Sequence, residues 1–291
     1  MPNVELVKKD RLSPFRRVAI GTWRTAYDPS VYGKLALRAD KCIAYIEEFR
    51  ARTGRKLTFT HLMAKAAGLV LAEIPDANAI LRFNRIYLRK EIGVFFQVAM
   101  EDKKTGEIDL SGIVVKDPHK KSMIEILDEV EKRAGTVKAG TDTELEGTRR
   151  MFERVPFLLL NKFLELLSFL GYTLNIDMRT FGAPRDPFGS IMITNVGALG
   201  LEEAFAPLVP YSRVPLLIAV PSVRQEMVVE DGKPVVGHVL NVCATFDHRV
   251  LDGSHAARMT KTIRRIFDDP EAAFGPLPVP ATLVTTTTTT G

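Results

Sequence analysis

Segments with helical spacing and segments with strand character alternate irregularly along this sequence, and the pattern restricts the chain to a mixed α/β fold. Residues 39–53 place apolar side chains at helical spacing and precede Gly54, a residue typical of a helix C-cap. Thr60 is the predicted N-cap of a second, Ala/Leu-rich helix that Pro75 ends. Apolar runs such as IGVFFQVAM predict buried strands. The sequence therefore predicts a sandwich-like layering of helices and a mixed sheet.

A long strand-like block near the C-terminus contains the strongest turn signal. Asp231 and Gly232 divide the run EMVVEDGKPVVGHVLNVCATFDH, and glycine at this position permits the positive φ of a tight hairpin. Residues 254–269 then have helical spacing, with Ser254 as the predicted N-cap. The order predicts a hairpin whose second strand leads into a C-terminal helix.

Charge and cysteine content exclude several classes of protein. The 291 residues include 40 basic and 35 acidic side chains scattered along the chain, so no nucleic-acid-binding surface is predicted. Cys42 and Cys243 form neither a disulfide framework nor a metal-ligand cluster, and we predict no metal site. The opening MPNVELVKKDRL lacks the apolar core of a signal peptide. These features predict a cytoplasmic protein that does not enter the membrane.

No internal repeat and no Ser/Gly-rich linker divides the chain. We therefore predict one domain over residues 1–280. Residues 285–291 are six threonines and a glycine without apolar partners, and a disordered tail is predicted over residues 281–291.

The segment ATFDHRVLDGSHAARM carries the main chemical signal. A predicted strand ends at Asp247-His248, and Asp252 and Gly253 follow. A histidine, whose ordinary pKa is about 6.5, acts as a base near neutral pH, and the end of a strand is a suitable place for it. Asp252 would hold the turn through hydrogen bonds, while Gly253 would permit a left-handed or closely packed backbone. From the residues alone, a structural histidine beside a turn is the alternative.

The motif DHRVLDG resembles the active-site signature of the acyltransferase catalytic domain of the 2-oxo acid dehydrogenase complexes, whose fold is shared with chloramphenicol acetyltransferase. Four other stretches match the family in the same order: RKLTFTHLMAKAA, IPDANA, VVKDPHKKSMIEI and ITNVGALG. The resemblance covers residues 16–274. It implies an α/β fold of the chloramphenicol acetyltransferase type, a two-layer sandwich of a mixed sheet and helices.

The resemblance also implies roles for individual residues. His248 would be the catalytic base that deprotonates a thiol, and Thr194 would donate a hydrogen bond to the oxyanion of the tetrahedral intermediate. Asp252 would be a structural brace that pairs with an arginine of the N-terminal segment. Arg17 is the best match for that arginine, with Arg16 and Arg24 also available. 

Three further residues complete the predicted site. Asn195, Asp247 and Gly253 are expected to contribute to substrate binding. Three other histidines, His61, His238 and His255, are interpreted as surface or packing residues.

The implied reaction is CoA-dependent acyl transfer to or from a dihydrolipoyl-type thiol. Coenzyme A would be a substrate, with no covalently bound cofactor. No lipoyl or subunit-binding domain precedes Arg16, so the acyl carrier is expected to be a separate lipoyl protein, a free thioester or another compound. The family's site lies between subunits of a trimer, which predicts a homotrimer, with larger assemblies and dehydrogenase components as possible partners.

Two segments depart from the family. The charged loop MEDKKTGEIDLSG replaces a short turn, and residues 139–187 form a predicted insertion. Within this insertion, the run VPFLLLNKFLELLSFLGY predicts an amphipathic helix whose polar stripe is Asn161, Glu165 and Ser168. The run is too short and too polar to span a bilayer. Packing into the domain or a subunit interface is the favoured interpretation, with a membrane-surface helix or a partner groove as alternatives.

Two other functions are compatible with the sequence. A non-catalytic trimeric scaffold would recruit partners through the Phe/Leu-rich helix. An acyltransferase of the same fold would instead act on a small hydroxyl or amine compound. Retention of His248 and Asp252 favours an enzyme over the scaffold.

Overall fold

The computed structural model of the protein describes residues 2–9, 29–101, 108–138, 155–156, 159–181 and 184–279. The strands in these ranges are β1 (Leu6–Lys8), β2 (Ser30–Arg38), β3 (Ala79–Arg82), β4 (Arg85–Arg89), β5 (Gly93–Glu101), β6 (Ile108–Lys116), β7 (Ile191–Asn195), β8 (Leu216–Val220), β9 (Arg224–Glu230) and β10 (Lys233–Asp247). The helices are α1 (Asp40–Thr53), α2 (Phe59–Glu73), α3 (Met123–Lys138), α4 (Leu160–Ser168), α5 (Gly253–Asp268) and α6 (Pro270–Phe274).

Seven of these strands form one mixed sheet in the order β2-β10-β8-β7-β5-β6, and β9 pairs with the first half of β10. The contacts β5–β7 and β7–β8 are parallel, and the other pairings are antiparallel. Every residue of β8 is buried, as expected for a strand covered on both faces. The predicted fold class, a mixed sheet layered with helices, is confirmed.

Helices α1, α2 and α5 cover one face of this sheet. Phe49 of α1, Leu62 of α2 and Ile263 of α5 belong to one buried cluster that also contains Ile193 of β7 and Leu240 of β10. Because strand side chains alternate between faces, the residues between these core positions point to the opposite face. The helices thus cover one face, and functional side chains must reach solvent from strand ends or from the other face.

The opposite face is covered in part by the segment 196–215. Met192 and Leu217 pack there with Val214, and the Thr245 hydroxyl donates a hydrogen bond of 2.8 Å to the Ala206 carbonyl. This segment buries the middle of the face. Beyond it, the carboxyl end of β7 is partly open.

The predicted helix over 39–53 is confirmed as α1, and Gly54 has the left-handed φ of 67°. The predicted turn at Asp231-Gly232 is also confirmed, with φ values of 49° and 76° that join β9 to β10. Gly54 and Gly232 both have a positive φ, a conformation that favours glycine, and this preference made both positions predictable from the sequence.

The two predicted N-caps are wrong by two residues. Thr58 rather than Thr60 is the N-cap of α2, and its backbone N–H donates to Nδ1 of His61 at 3.2 Å. Asp252 rather than Ser254 is the N-cap of α5, because its carboxylate accepts the free backbone N–H groups of the first turn.

The insertion is joined to the N-terminal strand and to a second sheet of order β1-β4-β3. The Asn175 side chain accepts the Val4 N–H and donates to the Val4 carbonyl, both at 2.6 Å. Tyr172, in the π-helical turn Phe169–Thr173 that continues α4, is buried against Val4 and Ile80. The insertion therefore packs into the domain, as favoured from the sequence.

The predicted polar stripe of α4 is wrong at Ser168. This residue is buried, and its hydroxyl accepts a hydrogen bond of 2.8 Å from Nε of Arg213. Leu166 and Phe169 are 51% and 43% exposed instead. The periodicity located the helix, but its contact with the partly buried Arg213 on another segment decided which side faces inward.

Two aromatic residues three positions apart test this packing. We expect Tyr172→Ala to lower the free energy of unfolding by about 3–5 kcal/mol, because it removes a buried ring. Phe169→Ala should cost about 1 kcal/mol or less, since that ring is partly in solvent. Denaturant unfolding of both variants measures the difference. Equal losses would contradict the described orientation of the insertion.

Candidate active site

His248 lies directly after the last residue of β10, in a turn fixed by hydrogen bonds. Its backbone N–H donates to the Pro29 carbonyl at 2.8 Å, which ties the turn to the residue before β2. Its ring Nδ1 lies 2.9 Å from the Leu251 carbonyl oxygen. The ring is therefore held by the backbone of its own turn.

This contact decides the tautomer of the imidazole. A carbonyl oxygen only accepts, so Nδ1 must carry a proton to make the hydrogen bond. In the neutral ring the lone pair is then on Nε2. The geometry presents Nε2 as the basic atom, which is the form a general base requires.

Asp252 is the N-cap of α5. Its Oδ1 accepts the backbone N–H of Ser254 at 3.0 Å and of His255 at 3.2 Å, and Nδ1 of His255 lies 2.7 Å away. Partial burial raises the pKa of the Asp252 carboxyl. The hydrogen bonds from Ser254 and His255 lower it by a larger amount, so the net pKa lies below the usual value of an aspartate. Asp252 is thus ionised at neutral pH and fixes the turn that carries His248. The predicted partner, Arg17, lies outside the described residues.

Asp247 faces the turn rather than an open cavity. It is buried, and its two carboxylate oxygens accept from the Arg249 side chain, with Oδ1 2.9 Å from Nε and Oδ2 2.7 Å from Nη2. Oδ1 also accepts the Arg249 backbone N–H at 3.0 Å. Through these hydrogen bonds, Asp247 stabilises the turn that contains His248.

Gly253 is the first residue of α5, and the expected left-handed or crowded backbone is absent there. A Cβ at this position would meet no atom within 4 Å, and Gly253 is not among the described residues with positive φ. That part of the sequence interpretation is wrong, because the capping carboxylate of Asp252 makes the turn without special backbone geometry.

Thr194 lies near the end of β7, on the sheet face opposite the helices. Its hydroxyl donates a hydrogen bond of 2.8 Å to Oε1 of Gln97 on the adjacent strand β5. Asn195 follows on the helix-facing side, where its Oδ1 accepts the Ala198 N–H at 3.1 Å. Thr194 and Gln97 thus form a polar pair, while Asn195 closes a local turn.

Sequence analysis missed Gln97. Its only signal is a polar residue inside the apolar run IGVFFQVAM. Its importance depends on the parallel pairing of β5 with β7, strands that are almost a hundred residues apart. No local pattern encodes that contact.

Within one chain, His248 and Thr194 are far apart. Strand register places Thr194 level with Ala219 on β8 and with Cys243 on β10. His248 comes five residues after Cys243. At about 3.3 Å per residue and about 4.8 Å per strand, the two residues are separated by about 17 Å along the strands and about 10 Å across them.

A single catalytic centre needs its groups within about 3 Å of the reacting atoms. Within one chain these groups are therefore too far apart to act on the same reacting atoms. We refer to them as two candidate half-sites: a histidine half at the end of β10, and a hydroxyl half, Thr194 with Gln97, at the end of β7. Among the described residues, no three His, Cys, Asp or Glu side chains are grouped as metal ligands, and no helix is long and apolar enough to cross a membrane.

The family pattern for the 2-oxoacid dehydrogenases acyltransferase (catalytic domain) matches residues 7–152 and 188–275. The chain belongs to this family. The unmatched residues 153–187 lie within the predicted insertion. The resemblance inferred from DHRVLDG is confirmed, and both candidate half-sites lie in matched parts of the chain.

Curated relatives are longer than this chain. The lipoamide acyltransferase component of the branched-chain alpha-keto acid dehydrogenase complex of Bacillus subtilis is 22% identical over 76% of this chain and 42% of its own length. The dihydrolipoyllysine-residue acetyltransferase component of the acetoin cleaving system of the same organism is 27% identical over 76% of this chain and 44% of its own length. The chain thus spans less than half the length of these two relatives.

Solved structures show the same fold. The dihydrolipoamide acetyltransferase of Azotobacter vinelandii is 22% identical, with a TM-score of 0.62 and coverage of 93% of both chains. The truncated catalytic core of the 2-oxoacid dehydrogenase complex of Thermoplasma acidophilum is 19% identical, with a TM-score of 0.56 and coverage of 91% of this chain and 99% of that one.

The capping role of Asp252 can be tested by pH. Asp252→Asn retains an acceptor oxygen but loses the charge, and we expect it to lower the free energy of unfolding by about 1 kcal/mol at pH 7. Because folding lowers the pKa of Asp252, the wild-type advantage is full above the unfolded pKa of about 4 and declines as pH falls through the folded pKa. Urea unfolding between pH 7 and pH 3 measures it. A difference that stays constant or grows toward pH 3 would contradict the proposed charge effect.

Proposed function

We propose that the protein is an acyltransferase that moves an acyl group between coenzyme A and a dihydrolipoyl-type thiol. The observation that carries this proposal is the 2.9 Å contact between Nδ1 of His248 and the Leu251 carbonyl oxygen, which leaves Nε2 as the basic atom. Membership of the acyltransferase family supplies the reaction class. A basic Nε2 on a fixed ring suits the deprotonation of a thiol.

The mechanism follows from the acidity of the nucleophile. A thiol has an ordinary pKa of about 8.5, so only a few per cent is thiolate at neutral pH. Nε2 of His248 takes the S–H proton while the sulfur attacks the acyl thioester carbon. The tetrahedral intermediate expels the other thiolate, which receives the proton back from the imidazolium. The acyl group has then moved from one sulfur to the other, and the base is regenerated.

Thr194 is the proposed donor to the oxyanion of that intermediate. Its hydroxyl is on the sheet face away from the helices and is only partly buried. In the dihydrolipoamide acetyltransferase of Azotobacter vinelandii, a serine, a histidine and an asparagine four residues after that histidine were investigated for roles in the catalytic mechanism. His248 and Asp252 have the same spacing. This chain would use a threonine and an aspartate where that protein has a serine and an asparagine.

A homotrimer with shared sites would bring the half-sites together. The separation of His248 from Thr194 within one chain favours a neighbour as the source of the second half. The β9–β10 hairpin also carries an apolar patch, with Met227, Val229 and Val236 exposed by 77%, 74% and 71%. Met227 and Val236 are direct cross-strand partners. Exposed apolar side chains grouped in this way are typical of a protein interface.

The partners proposed for this site follow from the reaction. Coenzyme A would be a substrate that is released after each turnover. The lipoyl thiol would arrive on a carrier protein or domain, and dehydrogenase components would supply its acyl group. Assembly beyond the trimer belongs to the same proposal, since relatives are components of dehydrogenase complexes.

A thiol-release assay tests the reaction. With acetyl-CoA and dihydrolipoamide, we expect release of CoA that falls by about 10²- to 10⁴-fold in His248→Ala, because the general base is lost. His238→Ala is the matched control, since His238 lies on the same strand but pairs with Asp40 at 2.8 Å, and its activity should be unchanged.

Other acceptors separate the rival functions. A panel of small alcohols and amines replaces dihydrolipoamide in the same assay. Release of CoA with these compounds alone would favour a small-molecule acyltransferase. No release with any acceptor, from a folded trimer, would favour a scaffold.

Subunit mixing tests the shared site. His248→Ala and Thr194→Val chains should each be inactive, and equal mixing with exchange should restore about one quarter of the sites, because each site then needs one neighbour of each type. The restored fraction is measured as CoA release at equal protein concentration. Mixing His248→Ala with the double variant is the control and should restore nothing. Confirmed mixed trimers without activity would contradict the shared site.

A further inference from the structure

We infer that Gln97 is a positioning residue that sets the direction of the Thr194 hydroxyl, and so determines whether this hydroxyl can donate to the oxyanion. The inference rests on the proposed function, in which Thr194 is the oxyanion donor. It is carried by a hydrogen bond of 2.8 Å between the two side chains.

The sheet places these two residues side by side. β5 and β7 are parallel, and their register pairs Phe96 with Ile193. The next residues, Gln97 and Thr194, are therefore neighbours whose side chains project to the face opposite the core. Gln97 is exposed and Thr194 is half-buried, so the pair is open to a ligand or to a neighbouring subunit.

The adjacent positions in the same cross-strand row supply no competing side chain for this pair. The residue beside Gln97 on β6 is Gly112, and the residue beside Thr194 on β8 is Ala219. Neither offers a polar side chain. Further along the same row, beyond Cys243, Lys34 is paired with Glu203 at 2.8 Å. Within this row of described residues, the amide of Gln97 is the side-chain group positioned to control the Thr194 hydroxyl.

The described hydrogen bond conflicts with oxyanion binding. A threonine hydroxyl has one proton, and here that proton is donated to Oε1 of Gln97. In this arrangement an oxyanion next to Thr194 would face only the lone pairs of the Thr194 hydroxyl oxygen and would be repelled. Thr194 can help the reaction only if its proton is redirected.

A primary amide can redirect it without moving the backbone. A half-turn about the last side-chain torsion of Gln97, which has a broad two-fold profile, exchanges Oε1 for Nε2. Nε2–H then donates to the Thr194 oxygen, and the hydroxyl proton turns toward the oxyanion. Two hydrogen bonds in series polarise each other, which strengthens the final donor.

A carboxylate cannot make this change, and this distinguishes glutamine from glutamate at the same position. Gln97→Glu should hold the Thr194 proton as an acceptor and add a negative charge near the oxyanion. We expect kcat to fall by about 10²-fold, with KM for CoA changed by less than about threefold. Gln97→Met, which has similar size but cannot accept or donate strongly, should lose about tenfold or less.

A double-mutant cycle shows whether the effect passes through Thr194. Thr194→Val should lower kcat by about 10²- to 10³-fold. Adding Gln97→Glu to Thr194→Val should then lower kcat by less than about threefold, because there is no hydroxyl left to misdirect. Full additivity of the two losses would overturn the inference.

A pH profile gives a second, independent readout. The ratio of Gln97→Glu activity to wild-type activity should rise at least about fivefold between pH 7 and pH 5, because a protonated carboxyl, whose ordinary pKa is about 4.3, can donate to Thr194. The two proteins differ only at position 97, so the ratio isolates the effect of the introduced carboxyl. A flat ratio would overturn the inference.

Failure of the inference is distinguishable from failure of the proposed function. An active wild type, with Gln97→Glu and Gln97→Met equally active in well-folded trimers, would reduce the pair to an ordinary cross-strand contact. A wild type inactive with every thiol would overturn the proposed function, and the inference with it.

Discussion

The pairing of β10 is the constraint on which the rest of the molecule depends. This strand has 15 residues and pairs along its length with β9, β8 and β2. Its first half pairs with β9 in the apolar hairpin, and its second half lies between β2 and β8 in the central sheet. Its last residue precedes the turn of His248. Because the strand is hydrogen-bonded on both sides, the turn at its end is fixed relative to the whole sheet.

That turn is stabilised by groups that are not themselves part of the proposed chemistry. The Asp247–Arg249 ion pair closes its start, and Asp252 anchors its end to the N-terminus of α5. Between them, the Leu251 carbonyl orients the imidazole. The charged side chains thus hold the turn, and the Leu251 carbonyl within that turn holds the imidazole in one orientation, as a positioned proton-transfer group requires.

The Thr194–Gln97 half of the proposed site depends on strand register, not on a local turn. Thr194 and Gln97 are on neighbouring parallel strands, and only the register of β5 with β7 makes them a pair. The strand geometry separates this pair from the histidine by several times the length of a hydrogen bond. A fold of this kind places the two halves at opposite ends of one sheet, so assembly and catalysis are linked in the proposed function.

Several features could be predicted from the sequence because each depends on residues close together in the chain. They are the fold class, the helix end at Gly54, the Asp231-Gly232 turn and the family signature around His248. The caps were predicted within two residues, since several hydroxyls and carboxylates near each helix start compete for the same N–H groups. Tertiary structure alone decided that Ser168 is buried against Arg213, that Asp247 pairs with Arg249, and that Gln97 binds Thr194. The first and last of these contacts join segments that are distant in the chain, and the Asp247 pairing depends on how the end of β10 packs. Such contacts are set by register and packing, for which the local pattern carries no signal.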